Sequence, residues 1–138
     1  MSLVRFLIVI LLSLSTVACG YHRYFNGFDD IPEGSASLYI IRPNSFVNMG
    51  ITMQIFVDEK EIGILKNGHF LDTSINPGAH KIVARTTDIM GDESSLTISA
   101  KPNERVYLIA SFGLERYFGI KQVGHQEALQ ELMEFTDK

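Results

Sequence analysis

The sequence predicts a mostly β protein: an antiparallel immunoglobulin-like sandwich of about seven to eight strands with one C-terminal amphipathic helix. Three observations predict it. From Ala36 onward, short apolar or alternating runs recur between turn residues at the spacing of a sandwich. A helical period appears only after Gly124. The chain has a single cysteine, so no internal disulfide and no cysteine-based zinc framework is available, and apolar burial has to hold the fold. The stretch from Ala36 to the C-terminus, residues 36–138, is long enough for one core and hardly for two.

The chain begins with a different kind of segment. Phe6 to Val17 reads FLIVILLSLSTV, with Arg5 as the only charged side chain before Cys19. A helix of that length spans roughly 18 Å, too short for a hydrocarbon core of about 30 Å, so residues 1–18 read as a signal peptide. Val17 and Ala18 before Cys19 resemble the bacterial lipobox, although Thr16 stands where that pattern prefers Leu. The resemblance implies cleavage between Ala18 and Cys19 and a thioether lipid on Cys19, with the membrane as a partner through that lipid. Gly20 follows where an Asp would resemble an inner-membrane retention signal, which implies an outer-membrane, periplasm-facing address. An ordinary secretory cut would want a small residue at position 16 as well, and would leave an unpaired thiol outside the cytoplasm.

Residues 19–35 carry no sustained period and are punctuated by Gly, Pro and paired Asp, which reads as a flexible tether reaching roughly 50 Å when extended. Its aromatics Tyr21, Tyr24, Phe25 and Phe28 either lie among lipid headgroups or dock back on the domain. The strands follow in order. Ser37 to Arg42 is continuously apolar up to Pro43, whereas Ile51 to Val57 alternates. Ile62 to Leu65, His69 to Ile75, Ala79 to Thr86, Ser95 to Ala100 and Arg105 to Phe112 come next, separated by Asn67-Gly68, Asn76-Pro77-Gly78 and Lys101-Pro102-Asn103 turns. Tyr117 to Val123 offers an eighth. His125 to Phe135 then places Ala128, Leu129, Leu132, Met133 and Phe135 at helical spacing, with Glu127, Glu131 and Glu134 mostly opposite. That helix is expected on the sheet face that Tyr107 and Ile109 make apolar.

The run Ala36 to Pro43, Val57-Asp58 followed by Ile62-Gly63, and Asn76-Pro77-Gly78-Ala79-His80 resemble a family of small uncharacterised bacterial lipoproteins. The family's domain of unknown function looks like the PEGA-type β-sandwiches. Glu59 departs from it, standing where the family often has Gly. The resemblance implies a sandwich on the cell envelope and supplies no activity.

Composition narrows the function further. Without Arg5 the chain carries 11 Lys and Arg against 16 Asp and Glu, a net charge of −5 that argues against a nucleic-acid partner and against adhesion to anionic lipid. The four histidines are scattered, and no pair has the i, i+4 helical spacing of a zinc protease. Ser95 and Ser111 lack the nucleophile elbow, so no catalytic residue is assigned. No metal or cofactor is assigned either, since the acidic turn Asp58, Glu59, Glu61 lacks EF-hand spacing. His80 reads as a half-buried, hydrogen-bonded residue of a strand.

Strand reversal sorts the loops. Those at Asn44 to Gly50, Lys66 to Gly68, Thr87 to Ser94 and Gly113 to Arg116 share one end, and Phe46, Val47, Met49, Ile89, Met90 and Leu114 gather there. These residues form a candidate binding tip, expected to point away from the anchoring membrane, unless Phe46 and Met49 fold back to cap the core. The leading expectation is a non-enzymatic envelope lipoprotein that binds or braces an envelope protein or glycan. The alternative is a small periplasmic hydrolase or ligand carrier with a pocket between sandwich and helix, a seam otherwise filled by Leu129, Leu132 and Met133.

Overall fold

Alternation of apolar and polar residues makes a strand with one wet face, and a continuous apolar run makes one buried on both. Both kinds occur in the computed structural model, which describes residues 20–113 and 118–136. Residues 1–19, which hold the expected signal peptide and its expected cut between Ala18 and Cys19, and residues 114–117, with Leu114 and Tyr117, lie outside the described residues. The described elements are β1 (Gly20–His22), β2 (Ala36–Arg42), β3 (Met53–Val57), β4 (Lys60–Leu65), β5 (His69–Ile75), β6 (Gly78–Thr86), β7 (Glu93–Ala100), β8 (Arg105–Phe112), β9 (Phe118–Val123) and the helix α1 (His125–Met133). Two sheets form, one ordered β1-β5-β2-β8-β9 and the other β4-β3-β6-β7. Among the described residues, no helix is long and apolar enough to cross a membrane.

The expected sandwich is there, with one departure from an all-antiparallel arrangement. β2 and β8 pair in parallel, Leu38 opposite Val106 and Ile40 opposite Leu108. The cause is simple: from β2 to β8 each connection reverses the chain, so the even-numbered strands all run from foot to tip. Any two of them that become neighbours must be parallel.

Two cores result. Leu38, Ile40, Met53, Ile55, Leu71, Ile82, Ile98 and Leu108 fill the space between the sheets. On the outer face of the first sheet, Tyr39, Ile41, Phe70, Tyr107 and Ile109 pack against Ala128, Leu132 and Phe135 of the C-terminal segment. β2 and β8 are thus buried on both faces, which is why they read as unbroken apolar runs. The helix lies where Tyr107 and Ile109 invited it.

The segment expected as a flexible tether is docked. β1 pairs with β5, Gly20 opposite Asp72 and His22 opposite Phe70. Phe25, only 6% exposed, joins the second core, and Phe28 packs against it. The Phe25 N–H donates to the Phe135 carbonyl at 3.0 Å, and Arg105 donates to the Asp29 carbonyl at 2.8 Å. The physical reason is burial: each phenyl ring removed from water contributes roughly 1.5–3 kcal/mol, enough to order a chain that has no period of its own. Of its aromatics, Phe25 and Phe28 dock, whereas Tyr24 stays exposed.

Candidate functional site

Three loops meet at the tip. Residues 43–52, 66–68 and 87–92 follow β2, β4 and β6, strands that all run toward that end. Their backbones are tied together. The Thr87 N–H donates to the Thr52 carbonyl at 3.0 Å, and the two hydroxyls sit 2.7 Å apart. The Ser45 N–H donates to Asn67 Oδ1 at 3.0 Å, while Asn67 Nδ2 donates to Asn44 Oδ1 at 2.7 Å. Within the third loop, Asp88 accepts from the Thr86 hydroxyl at 2.8 Å.

Fixed backbones hold the apolar side chains outward. Phe46 is 93% exposed, Ile89 is fully exposed, and Val47, Met49 and Met90 are all exposed too. Phe46 and Met49 therefore do not cap the core. Their combined presentation is unusual, because single exposed apolar residues need no explanation but a cluster on one rim does.

The residue that organises this rim is Arg42, which sequence pattern alone does not single out. It closes β2 and is only 2% exposed. Its Nη1 donates to the carbonyls of Ile51 and Leu65, and its Nη2 to that of Asn48 at 3.1 Å. Its guanidinium also lies 5.6 Å from the centre of the Phe112 ring. No carboxylate pairs with it among the described residues, and burial pushes its pKa below the ordinary value. A planar fork of five donors suits the position, since one buried cation holds two carbonyls of the 43–52 loop and the last carbonyl of β4. A charged residue ending a continuous apolar run, just before Pro43, was the available signal.

The foot of the sandwich carries the best-defined polar cluster. Asp58 and Glu59 form the β3–β4 turn, both in the left-handed region at φ 49° and 71°. Asp58 accepts from the Lys81 N–H at 2.9 Å through Oδ1 and meets His80 Nδ1 at 2.6 Å through Oδ2. The other ring nitrogen of His80 meets the Asn76 carbonyl at 2.6 Å. Both partners are pure acceptors, so only the doubly protonated imidazolium satisfies both contacts. Burial alone would lower the His80 pKa, but the hydrogen bonds to Asp58 and Asn76 and the Asp58 charge outweigh it and raise the value. The hydrogen bond from His80, then that from Lys81, hold the Asp58 carboxyl below its ordinary range. His80 is half-buried and hydrogen-bonded, as its place in a strand suggested. Beside it, the sheets part between β4 and β5 to leave a slot of about 340 Å³ with Val57, Ile62, Thr73 and Ile75 in its walls.

Among the described residues, no three His, Cys, Asp or Glu side chains group as metal ligands. The seam between sandwich and helix is packed with Ala128, Leu132 and Phe135 against the aromatic face of the sheet, and Leu129 is partly buried there. Met133, expected to help fill it, points to solvent instead. Within the seam His125 Nδ1 lies 2.9 Å from the Tyr107 hydroxyl. Next to the helix, His22 and Asp72 meet at 2.9 Å on the wall of a cleft of about 180 Å³.

No curated protein matches this chain. It is similar to a protein from Eubacterium rectale whose structure was determined by NMR, at a TM-score of 0.45 and 11% identity, over 72% of this chain and 98% of the other. A likeness that distant carries no inference. The profile described as "Protein of unknown function (DUF2846)" matches residues 32–117, from just before β2 to just before β9. By that match over more than half its length, the chain belongs to the DUF2846 family.

Proposed function

We propose that this protein is a lipid-anchored bacterial envelope lipoprotein that acts without catalysis, binding or bracing an envelope partner through its loop tip. The observation that carries the reading is the rim of Phe46, Val47, Met49, Ile89 and Met90, held outward by hydrogen-bonded loops. One phenyl ring among aliphatic and thioether side chains offers dispersion and desolvation but no hydrogen bonds, so an apolar cleft on a protein suits the rim better than a hydroxyl-rich glycan. The PEGA-type likeness of the turns at Asp58 and Asn76-Pro77-Gly78 supports a scaffold whose work is done by loops.

Anchoring is the second half of the reading. Cleavage before Cys19 and acylation of its sulfur would hold the domain stably, since each buried methylene contributes about 0.8 kcal/mol and two or more chains suffice. Phe46→Asp together with Met49→Asp should abolish capture of the partner from envelope extracts and leave the melting temperature unchanged. Lost stability with capture intact would make the tip a core element and end the proposal. Cys19→Ser should release the protein from membranes and remove a lipid mass present in wild type.

The alternative, a hydrolase or carrier with its pocket under the helix, lacks an observation in its favour. The space it requires holds Ala128, Leu132 and Phe135.

A further inference from the structure

The register of β1 constrains how such an anchor would meet the domain. Gly20 stands opposite Asp72, the middle residue of β5, and Thr73, Ser74 and Ile75 continue toward the foot beyond it. A Cβ at Gly20 would run into the His22 ring and the Asp72 carboxylate. Position 20 therefore faces the outer side of the sheet, with Asp72 and Phe70. Consecutive Cα atoms are 3.80 Å apart, so a lipid on Cys19 would be joined one residue from this docked strand, with no long leash between them.

The same edge is dressed for an interface of lipid and water. Arg23 and Tyr24 follow β1 directly, both exposed, with the guanidinium 5.5 Å from the ring centre. Tyrosine is favoured at headgroup depth, and an arginine stem can lie along apolar surface while its charge stays wet. On β4, Ile64 is 45% exposed.

We propose that the partner of this edge is the lipid surface itself: the side of the sandwich formed by β1, β5 and β4 rests on the bilayer that holds Cys19. This rests on the lipoprotein reading. The tip then faces along the membrane, and its partner is sought among proteins close to that same bilayer.

The test uses the lipidated full-length protein in vesicles of phosphatidylethanolamine and phosphatidylcholine, lipids uncharged overall, with Cys19 blocked by its lipid. Lys60→Cys and Ile64→Cys place a fluorophore on the proposed contact edge. Phe46→Cys and Ser99→Cys place one on the tip and on the far edge strand. A quencher carried on lipid headgroups should strongly dim Lys60→Cys and Ile64→Cys and leave the other two bright. Uniform weak quenching, as a free leash would give, overturns the proposal, and so does strongest quenching at Phe46→Cys. Intact mass is read first: a chain without lipid on Cys19 overturns the lipoprotein reading as well, whereas a lipidated chain with the wrong quenching pattern overturns only the orientation.

Discussion

Replacing Arg42 with Met removes a buried cation but keeps an unbranched apolar stem of similar reach. Three carbonyl groups, those of Ile51, Leu65 and Asn48, lose their donor. Hydrogen bonds from a charged donor contribute about 1.5–3 kcal/mol each. The Ile51 and Asn48 bonds are partly open to water, and the Leu65 contact is long at 3.3 Å. Solvent will recover part of the loss, and relief of the guanidinium's desolvation offsets more. The expected net cost is roughly 3 kcal/mol, which for a domain of this size lowers the melting temperature by more than about 10 °C. Urea unfolding followed by far-ultraviolet circular dichroism gives the free energy directly. Arg42→Lys, a point charge that cannot span three carbonyls, should fall between the two. The tip should also lose order in the variant, seen as faster amide exchange at Asn48 and Ile51. A cost below about 1 kcal/mol with unchanged exchange would show that the guanidinium does not organise the loops, and would refute the reasoning.

Three further outcomes follow from single residues. His80 is raised above its ordinary 6.5, so its contribution is complete below that value and is lost as pH rises through the folded-state pKa; Asp58 is lowered from 3.8, so its share is lost only as pH falls below that. The melting-temperature gap between wild type and His80→Gln should therefore be widest between those two values and shrink in alkali, and a gap that persists there would show a neutral ring. Glu59→Gly should stabilise by about 0.5–1 kcal/mol, because it removes a left-handed strain of roughly 1–2 kcal/mol at the cost of added unfolded-chain entropy. Phe25→Ala should destabilise by about 3 kcal/mol, whereas a freely moving tether would give no change in the unfolding midpoint.

Much of the sandwich was legible because its cues are local. The alternation of Met53, Ile55 and Val57, the unbroken run into Pro43 and the Asn76-Pro77-Gly78 reversal each act within a few residues, and all three mark real boundaries. Tyr107 and Ile109 even announced the second buried face, since a strand apolar on both sides needs two covers. The features that stayed illegible depend on distant partners. Gly20–His22 has no pattern of its own and becomes a strand only because β5 offers an edge. Phe25 and Phe28 are aromatic in a loop-like context, which composition cannot assign to membrane or core. At the candidate site, the loop tip was traceable by counting reversals, but the clamp on His80 joins a carboxylate 22 residues away to a backbone carbonyl, and the groups around Arg42 are all backbone carbonyls, which no residue type reveals.

The parallel join of β2 and β8 has a kinetic consequence. These neighbours in the first sheet are far apart in sequence, so their pairing closes the longest loop between paired strands and raises the contact order. Folding should wait on β8 leaving whatever channel delivers the chain, with β2 exposed on one edge until then. On the proposed export, that delay would keep the chain threadable during passage and restrict assembly of the sheet to the far side of the membrane.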